Sequence, residues 1–151
     1  MSEFTPKDPA FAARVQASFA KQGLMTSLGA RLVHIAPGMA EVALAASPSV
    51  SQQHGFIHAG ALAAIADTAA GYAALSLMPP GVGVLTTEFK INLVAPAKGS
   101  GVRARGRVVK AGRTLTLSQT EVFAESDGAE KLVALLTATL MTIEGRDRIA
   151  D

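Results

Sequence analysis

Apolar residues recur along the chain with two different periods. Between Pro9 and Gln22 they fall at helical spacing (Phe11, Val15, Phe19) and stop at Gly23, which predicts a short amphipathic helix. Leu28–Ala36 and Met39–Ala46 flank Pro37-Gly38 and read as a β-hairpin, with Leu32, Val42 and Leu44 as core candidates. A loop of small and polar residues, Ser47 to Gly55, follows. From Ala59 to Leu77 the chain is apolar on nearly every helical face, as expected of a helix wrapped by the rest of its domain. After Pro79-Pro80-Gly81 the period changes to that of strands. Val82–Val94, Gly101–Lys110, Thr114–Glu125 and Lys131–Ile143 are β-type runs punctuated by Pro96–Gly99, Ala111-Gly112 and Ser126–Gly128. The charged residues 144–151 are expected to fray.

This order predicts one α+β domain over residues 1–151, with a core over about 28–143. Six strands, joined by short turns and so antiparallel, would curl around one central helix. With 151 residues and 49% hydrophobic residues the chain can bury a sizeable core and is not a disordered segment. The stretch Ala59–Met78 approaches membrane-spanning length, but it carries Asp67 and is mostly Ala and Gly, so a buried soluble helix is expected and no membrane partner. Met1–Pro9 has neither a basic nor an apolar leader region, which places the protein in the cytoplasm by expectation. Cysteine is absent, excluding disulfides, Cys-based zinc or iron–sulfur sites and a Cys nucleophile. There is no Gly-x-Ser-x-Gly elbow, no P-loop and no dinucleotide fingerprint.

Asp67 is the foremost candidate for chemistry. It is the only carboxylate between Glu41 and Glu88, and no Lys or Arg lies between Arg31 and Lys90. A carboxylate in mid-helix among alanines loses hydration without a nearby cation, which raises its pKa and suits a general base. The other reading is an Asp buried for structure alone, satisfied by hydrogen bonds or by a distant group such as Lys90. The second candidate is Gln52–Gly60, where the helix begins. A helix N-terminus offers free N–H groups and the positive end of the dipole, and small residues there let a carbonyl approach. Asp67 lies roughly seven residues further on, ~10 Å along the axis. One chain would not bring the two together; a symmetric dimer would.

His54 and His58 have the i, i+4 spacing of a metal pair, but the spacing straddles a loop and only Asp67 is at hand as a third ligand. No metal is expected, and His58 reads as an organiser of the loop; His34 reads as structural or exposed. Seven of the 14 basic residues fall between Lys90 and Arg113 without an intervening acid, and Arg103, Arg105 and Arg107 share one strand face. That run reads either as a phosphate-binding surface or as a solvated sheet face. Nucleic acid is not an expected partner, because Tyr72 is alone and Trp is absent, leaving little stacking surface.

The run from His58-Ala59-Gly60 through Asp67 to Gly71 resembles the His-Gly-Gly…Asp signature of PaaI-type hotdog-fold acyl-CoA thioesterases. Thr86-Thr87-Glu88-Phe89-Lys90-Ile91-Asn92-Leu93-Val94-Ala95-Pro96 resembles the strand that follows the central helix in that family. The resemblance implies a helix wrapped by an antiparallel sheet, in homodimers or dimer-of-dimers tetramers with shared sites. It implies Asp67 as base or nucleophile, the Ala59 amide (with Gly60 as a further candidate) polarising the thioester carbonyl, Gln52 positioning the substrate and Thr86 orienting water. Ala59 stands where the family usually has Gly, and Gln52 where it often has Asn. Phe56, Leu62 and Tyr72 would receive the acyl group. Lys90, Arg107, Lys110 and Arg113 would meet the phosphates of coenzyme A, with His54 also at the substrate. No cofactor is expected beyond the CoA carried by the substrate. The rival readings are a non-catalytic acyl-CoA-binding module and, third, an enoyl-CoA hydratase or dehydratase of the same fold.

Overall fold

A computed structural model describes residues 4–151, so Met1–Glu3, the start of the stretch read for a leader, lie outside the described residues. The elements are α1 (Phe11–Ala20), α2 (Gly23–Leu28), β1 (Arg31–Ala36), β2 (Met39–Ala45), a 3-10 turn (Pro48–Val50), α3 (Ala59–Leu75), β3 (Gly83–Leu93), β4 (Gly101–Ala111), β5 (Leu115–Ser126) and β6 (Ala129–Ile143). The strands form one six-stranded antiparallel sheet in the order β1-β2-β4-β5-β6-β3. With α3 packed into its concave side, this is the expected hotdog arrangement. Among the described residues no helix is long and apolar enough to cross a membrane.

The alanines of α3 explain how the helix sits so close. Ala66, Ala69, Ala70, Ala73 and Ala74 are fully buried. Opposite them, a Cβ on Gly106 of β4 would lie 2.5 Å from the carbonyl carbon and oxygen of Ala69, so glycine is required by the approach of the helix backbone. Thr120 of β5 donates from Oγ1 to the carbonyl of Ala66 at 3.0 Å, tying helix and sheet by a buried polar contact. At the far end of α3, Arg14 of α1 donates to the carbonyls of Leu75 (2.9 Å), Met78 (2.8 Å) and Pro79 (2.6 Å). A guanidinium there satisfies carbonyls that a helix end leaves open and complements the negative end of its dipole.

Several expectations are corrected. Gly23 does not end the helical region: Gln22 is extended (φ −77°, ψ 103°) and Gly23 opens α2. The effective stop is Gly29, left-handed at φ 73°, so the first strand begins at Arg31 rather than Leu28. β3 and β4 are consecutive but not neighbours. The linker after β3 crosses beneath the start of α3, where Ile57 donates to Ala97 O at 3.0 Å, and β3 pairs instead with β6. β3 is therefore an edge strand, with Leu85, Phe89 and Leu93 exposed. β6 starts at Ala129 because Asp127 and Gly128 (φ 52° and 77°) make a two-residue hairpin turn. The segment after β6 is largely exposed, as expected of a charged tail, but it does not simply fray. Asp151 N–H donates to Val82 O at 3.1 Å and its carboxylate accepts from Ser18 Oγ at 2.6 Å.

Candidate active site

Asp67 is half-buried on α3 and opens into a cavity of about 640 Å³. Thr86, from β3, lines the same cavity and donates from Oγ1 to Asp67 Oδ1 at 2.8 Å. The carboxylate has no cation within ion-pair distance among the described residues; Lys90 does not reach it. Burial raises its pKa above the ordinary carboxylate value, and the Thr86 hydrogen bond only partly offsets that. Tyr72 lines the cavity too. Its hydroxyl is held by Ser18 (3.1 Å) and by the Gln22 side-chain amide (3.0 Å), and burial raises its pKa.

The start of α3 forms the second cavity, of about 430 Å³, lined by Gln52, Phe56, Ala59, Leu62 and the Leu93–Ala97 segment. His58 is the N-cap of α3, and its Nδ1 accepts from Gly60 N–H at 2.7 Å. The N–H groups of Ala61 and Leu62 donate to His58 O at 3.0 and 3.2 Å. Ala59 N–H is thus the one first-turn amide without an acceptor among the described residues. Gly60, expected as a further carbonyl donor, is corrected here, since its N–H is committed to the cap. The cap also explains the residue types: a Cβ on Gly60 would sit 3.0 Å from His58 Nδ1, whereas Ala59 has no positive φ and accommodates a methyl group. Gln52 Oε1 accepts from the N–H groups of His54 and, at 3.3 Å, Phe56, so its oxygen shapes the loop while its amide nitrogen stays available.

The structure brings together Asp67, Thr86 and Tyr72 in one cavity and Gln52, Phe56, Ala59 and Leu62 in the other. Tyr72 is therefore separated from Phe56 and Leu62, with which the sequence grouped it. Ala59 and Asp67 are eight residues apart on α3, about 12 Å along the axis. Within one chain the expected site residues are thus divided between two cavities.

The basic run is not at either cavity. On the outer sheet face Arg103 pairs with Glu41 (2.7 Å) and Glu125, while Arg105 pairs with Glu41 (3.0 Å) and Glu130 (2.6 Å) and stacks on Phe123. Burial pulls Glu41 upward, but the two guanidiniums more than offset this and hold its carboxyl below the ordinary value. Arg107 donates to Gln119 at 2.7 Å. Of the expected phosphate contacts, Lys90, Arg107, Lys110 and Arg113 line neither of these two cavities, and nor does His54. No group of three or more His, Cys, Asp or Glu is placed to hold a metal among the described residues.

The sequence reading missed Ser18, Gln22 and residues 148–151 as cavity walls. Ser18 and Gln22 stand at i, i+4 spacing within the stretch that the sequence predicts as one helix, and that was the available signal.

Residues 54–131 match the thioesterase superfamily. A thioesterase family protein of Silicibacter pomeroyi superposes with a TM-score of 0.88 and is 45% identical, covering 89% of this chain and 99% of that one. The E. coli PaaI protein of the phenylacetic acid degradation operon shares the fold (TM-score 0.80, 22% identity, 89% of this chain and 94% of that one). A 1,4-dihydroxy-2-naphthoyl-CoA hydrolase of Listeria monocytogenes is 25% identical over 118 residues, 78% of this chain and 94% of that one.

Proposed function

The chain belongs to the thioesterase superfamily, and on that premise we propose that it hydrolyses acyl-CoA thioesters at sites shared between two copies. The observation that carries the reading is Asp67: a half-buried carboxylate with no ion-pair partner among the described residues, its pKa raised by burial, aimed with Thr86 into a large cavity. The Ala59 half of each site would come from the partner, since one chain holds the two halves about 12 Å apart. The unpaired edge of β3, with its exposed Leu85, Phe89 and Leu93, supports pairing with a second copy.

Thr86 occupies one oxygen of Asp67 and leaves the other for a water. The water oxygen attacks the thioester carbonyl carbon while its proton passes to Asp67. The negative charge on the carbonyl oxygen is met by the partner's Ala59 N–H and the positive end of its α3 dipole. Collapse breaks the carbon–sulfur bond, and the departing thiolate takes the proton from Asp67, giving free acid and CoA. Direct attack by Asp67 on the carbonyl, through a mixed anhydride, uses the same groups. The hydratase reading is disfavoured because Nδ1 of the His58 imidazole is spent on the helix cap.

Free-thiol release tests this across short- to long-chain acyl-CoAs and aryl-CoAs, the latter prompted by the relative named for a naphthoyl-CoA. Asp67→Asn is expected to lose about 10²–10⁴-fold in kcat, the range of a general base, while remaining folded. Wild-type turnover by a folded Asp67→Asn protein would overturn the proposal.

A further inference from the structure

We propose that residues 146–151 form the wall that limits acyl size in the Asp67 cavity, and that Gly83 is the seat that holds this wall in place. The inference rests on the Asp67 site proposed above. After β6 the chain turns at Gly145 (φ 67°), and Ile149 N–H closes a turn onto Arg146 O at 2.9 Å. Arg148, Ile149, Ala150 and Asp151 then line the same cavity as Asp67 and Thr86. Among the described residues two hydrogen bonds anchor the end of the segment: Asp151 N–H to Val82 O, and Ser18 Oγ to the Asp151 carboxylate.

Gly83 shows that the position is built into the fold. It is the first residue of β3, is buried, and is paired with Ile143. Its φ is not in the left-handed region, so no turn demands glycine there. The demand comes from the segment: a Cβ on Gly83 would lie 1.9 Å from Ile149 O and 2.9 Å from Ile149 C. Those are backbone atoms and cannot swing aside as a side chain would. Any residue but glycine at position 83 displaces the segment. Because Ile149 supplies apolar surface to the cavity, an acyl group that extends past it meets a wall held by few contacts.

Two variants separate the seat from the wall. Gly83→Ala unseats the segment; Ile149→Ala keeps the seat and trims the wall. Trypsin reads the segment's position, because Arg146 and Arg148 lie within it. In Gly83→Ala, cleavage at these two sites should accelerate at least about tenfold; in Ile149→Ala it should stay near wild type. In both, the ratio of kcat/KM for long over short acyl-CoAs should rise about tenfold, the low end of what one methylene is worth in an apolar pocket. Unchanged cleavage in folded Gly83→Ala overturns the seat. Faster cleavage with an unchanged chain-length profile overturns the wall. If Gly83→Ala does not fold, the profile of Ile149→Ala decides. A wild-type protein that releases no thiol from any thioester removes the underlying hydrolase reading and the wall with it, while digestion still judges the seat.

Discussion

Replacing Ala59 by proline would delete one donor and leave the surrounding structure in place. Ala59 is the first residue of α3, the helical position where proline is best tolerated. His58 before it is already extended (φ −62°, ψ 138°), the conformation that a residue preceding proline adopts. The other first-turn N–H groups all bond to His58, so no intrahelical bond is lost. Stability should hold or rise by about 0.4–1 kcal/mol through the stiffer unfolded chain. Activity should not hold. If Ala59 N–H meets the developing oxyanion, its loss raises the barrier by ~2.7–4 kcal/mol, about 10²–10³ in kcat. Thiol release measured beside a melting curve separates the two effects. Mixing then tests the shared site. When Ala59→Pro and Asp67→Asn subunits exchange at equal amounts, half of the dimers are mixed and each carries one intact site, restoring about a quarter of wild-type activity. Full kcat in the Ala59→Pro protein alone would refute the oxyanion role. No recovery in mixed dimers whose exchange is confirmed by mass would refute the sharing.

Three further outcomes follow from the same geometry. Thr86→Val removes the hydrogen bond that lowers the Asp67 pKa and leaves the burial that raises it; because the base must be ionised, the acid limb of kcat/KM against pH should move to higher pH, and a limb that stays or moves to lower pH contradicts the assignment. Asp67→Asn should be at least as stable as wild type at neutral pH: the raised folded pKa means that ionised Asp67 costs stability above that pKa, a cost that disappears as pH falls below the unfolded carboxylate's value, so melting curves at neutral and acid pH should converge toward acid. Gly106→Ala places a methyl carbon 2.5 Å from the Ala69 backbone; overpacking of about 1–3 kcal/mol at ~2–4 °C per kcal/mol predicts a melting point lower by several degrees, and an unchanged one would mean that helix and sheet are not so closely seated.

The sequence reveals what is local or strongly patterned. The apolar run from Ala59 announces α3, and Asp67 stands out because its neighbours in the chain offer it nothing. The partnership of Asp67 with Thr86 was legible only through a resemblance, since 19 residues and a change of element separate them. Strand order was harder. A short link between β3 and β4 suggests pairing, but the link is spent on passing beneath α3, and that path is fixed by contacts such as Ile57 to Ala97 that no local pattern encodes. The arginines of β4 read as free charge because the acids that neutralise them, Glu41, Glu125 and Glu130, are far away in sequence and adjacent only across the sheet. The Gly60 amide looked available because the cap depends on how the His58 ring turns, which sequence does not state.

The tight seat of α3 has a consequence for how such an enzyme can diversify. With Gly106 against Ala69 and a row of fully buried alanines, nearly any enlargement on that flank strains the backbone before it reshapes the cavity. Selection, or a protein engineer, therefore has little to work with at the centre of the fold. New substrate ranges must be written at its margins: in the loop carrying Phe56, along the open edge at Leu93, and in the segment around Ile149. On the proposed reaction, the catalytic groups are mounted on the part of the molecule least free to drift, and the parts most free to drift are those that would touch the acyl group.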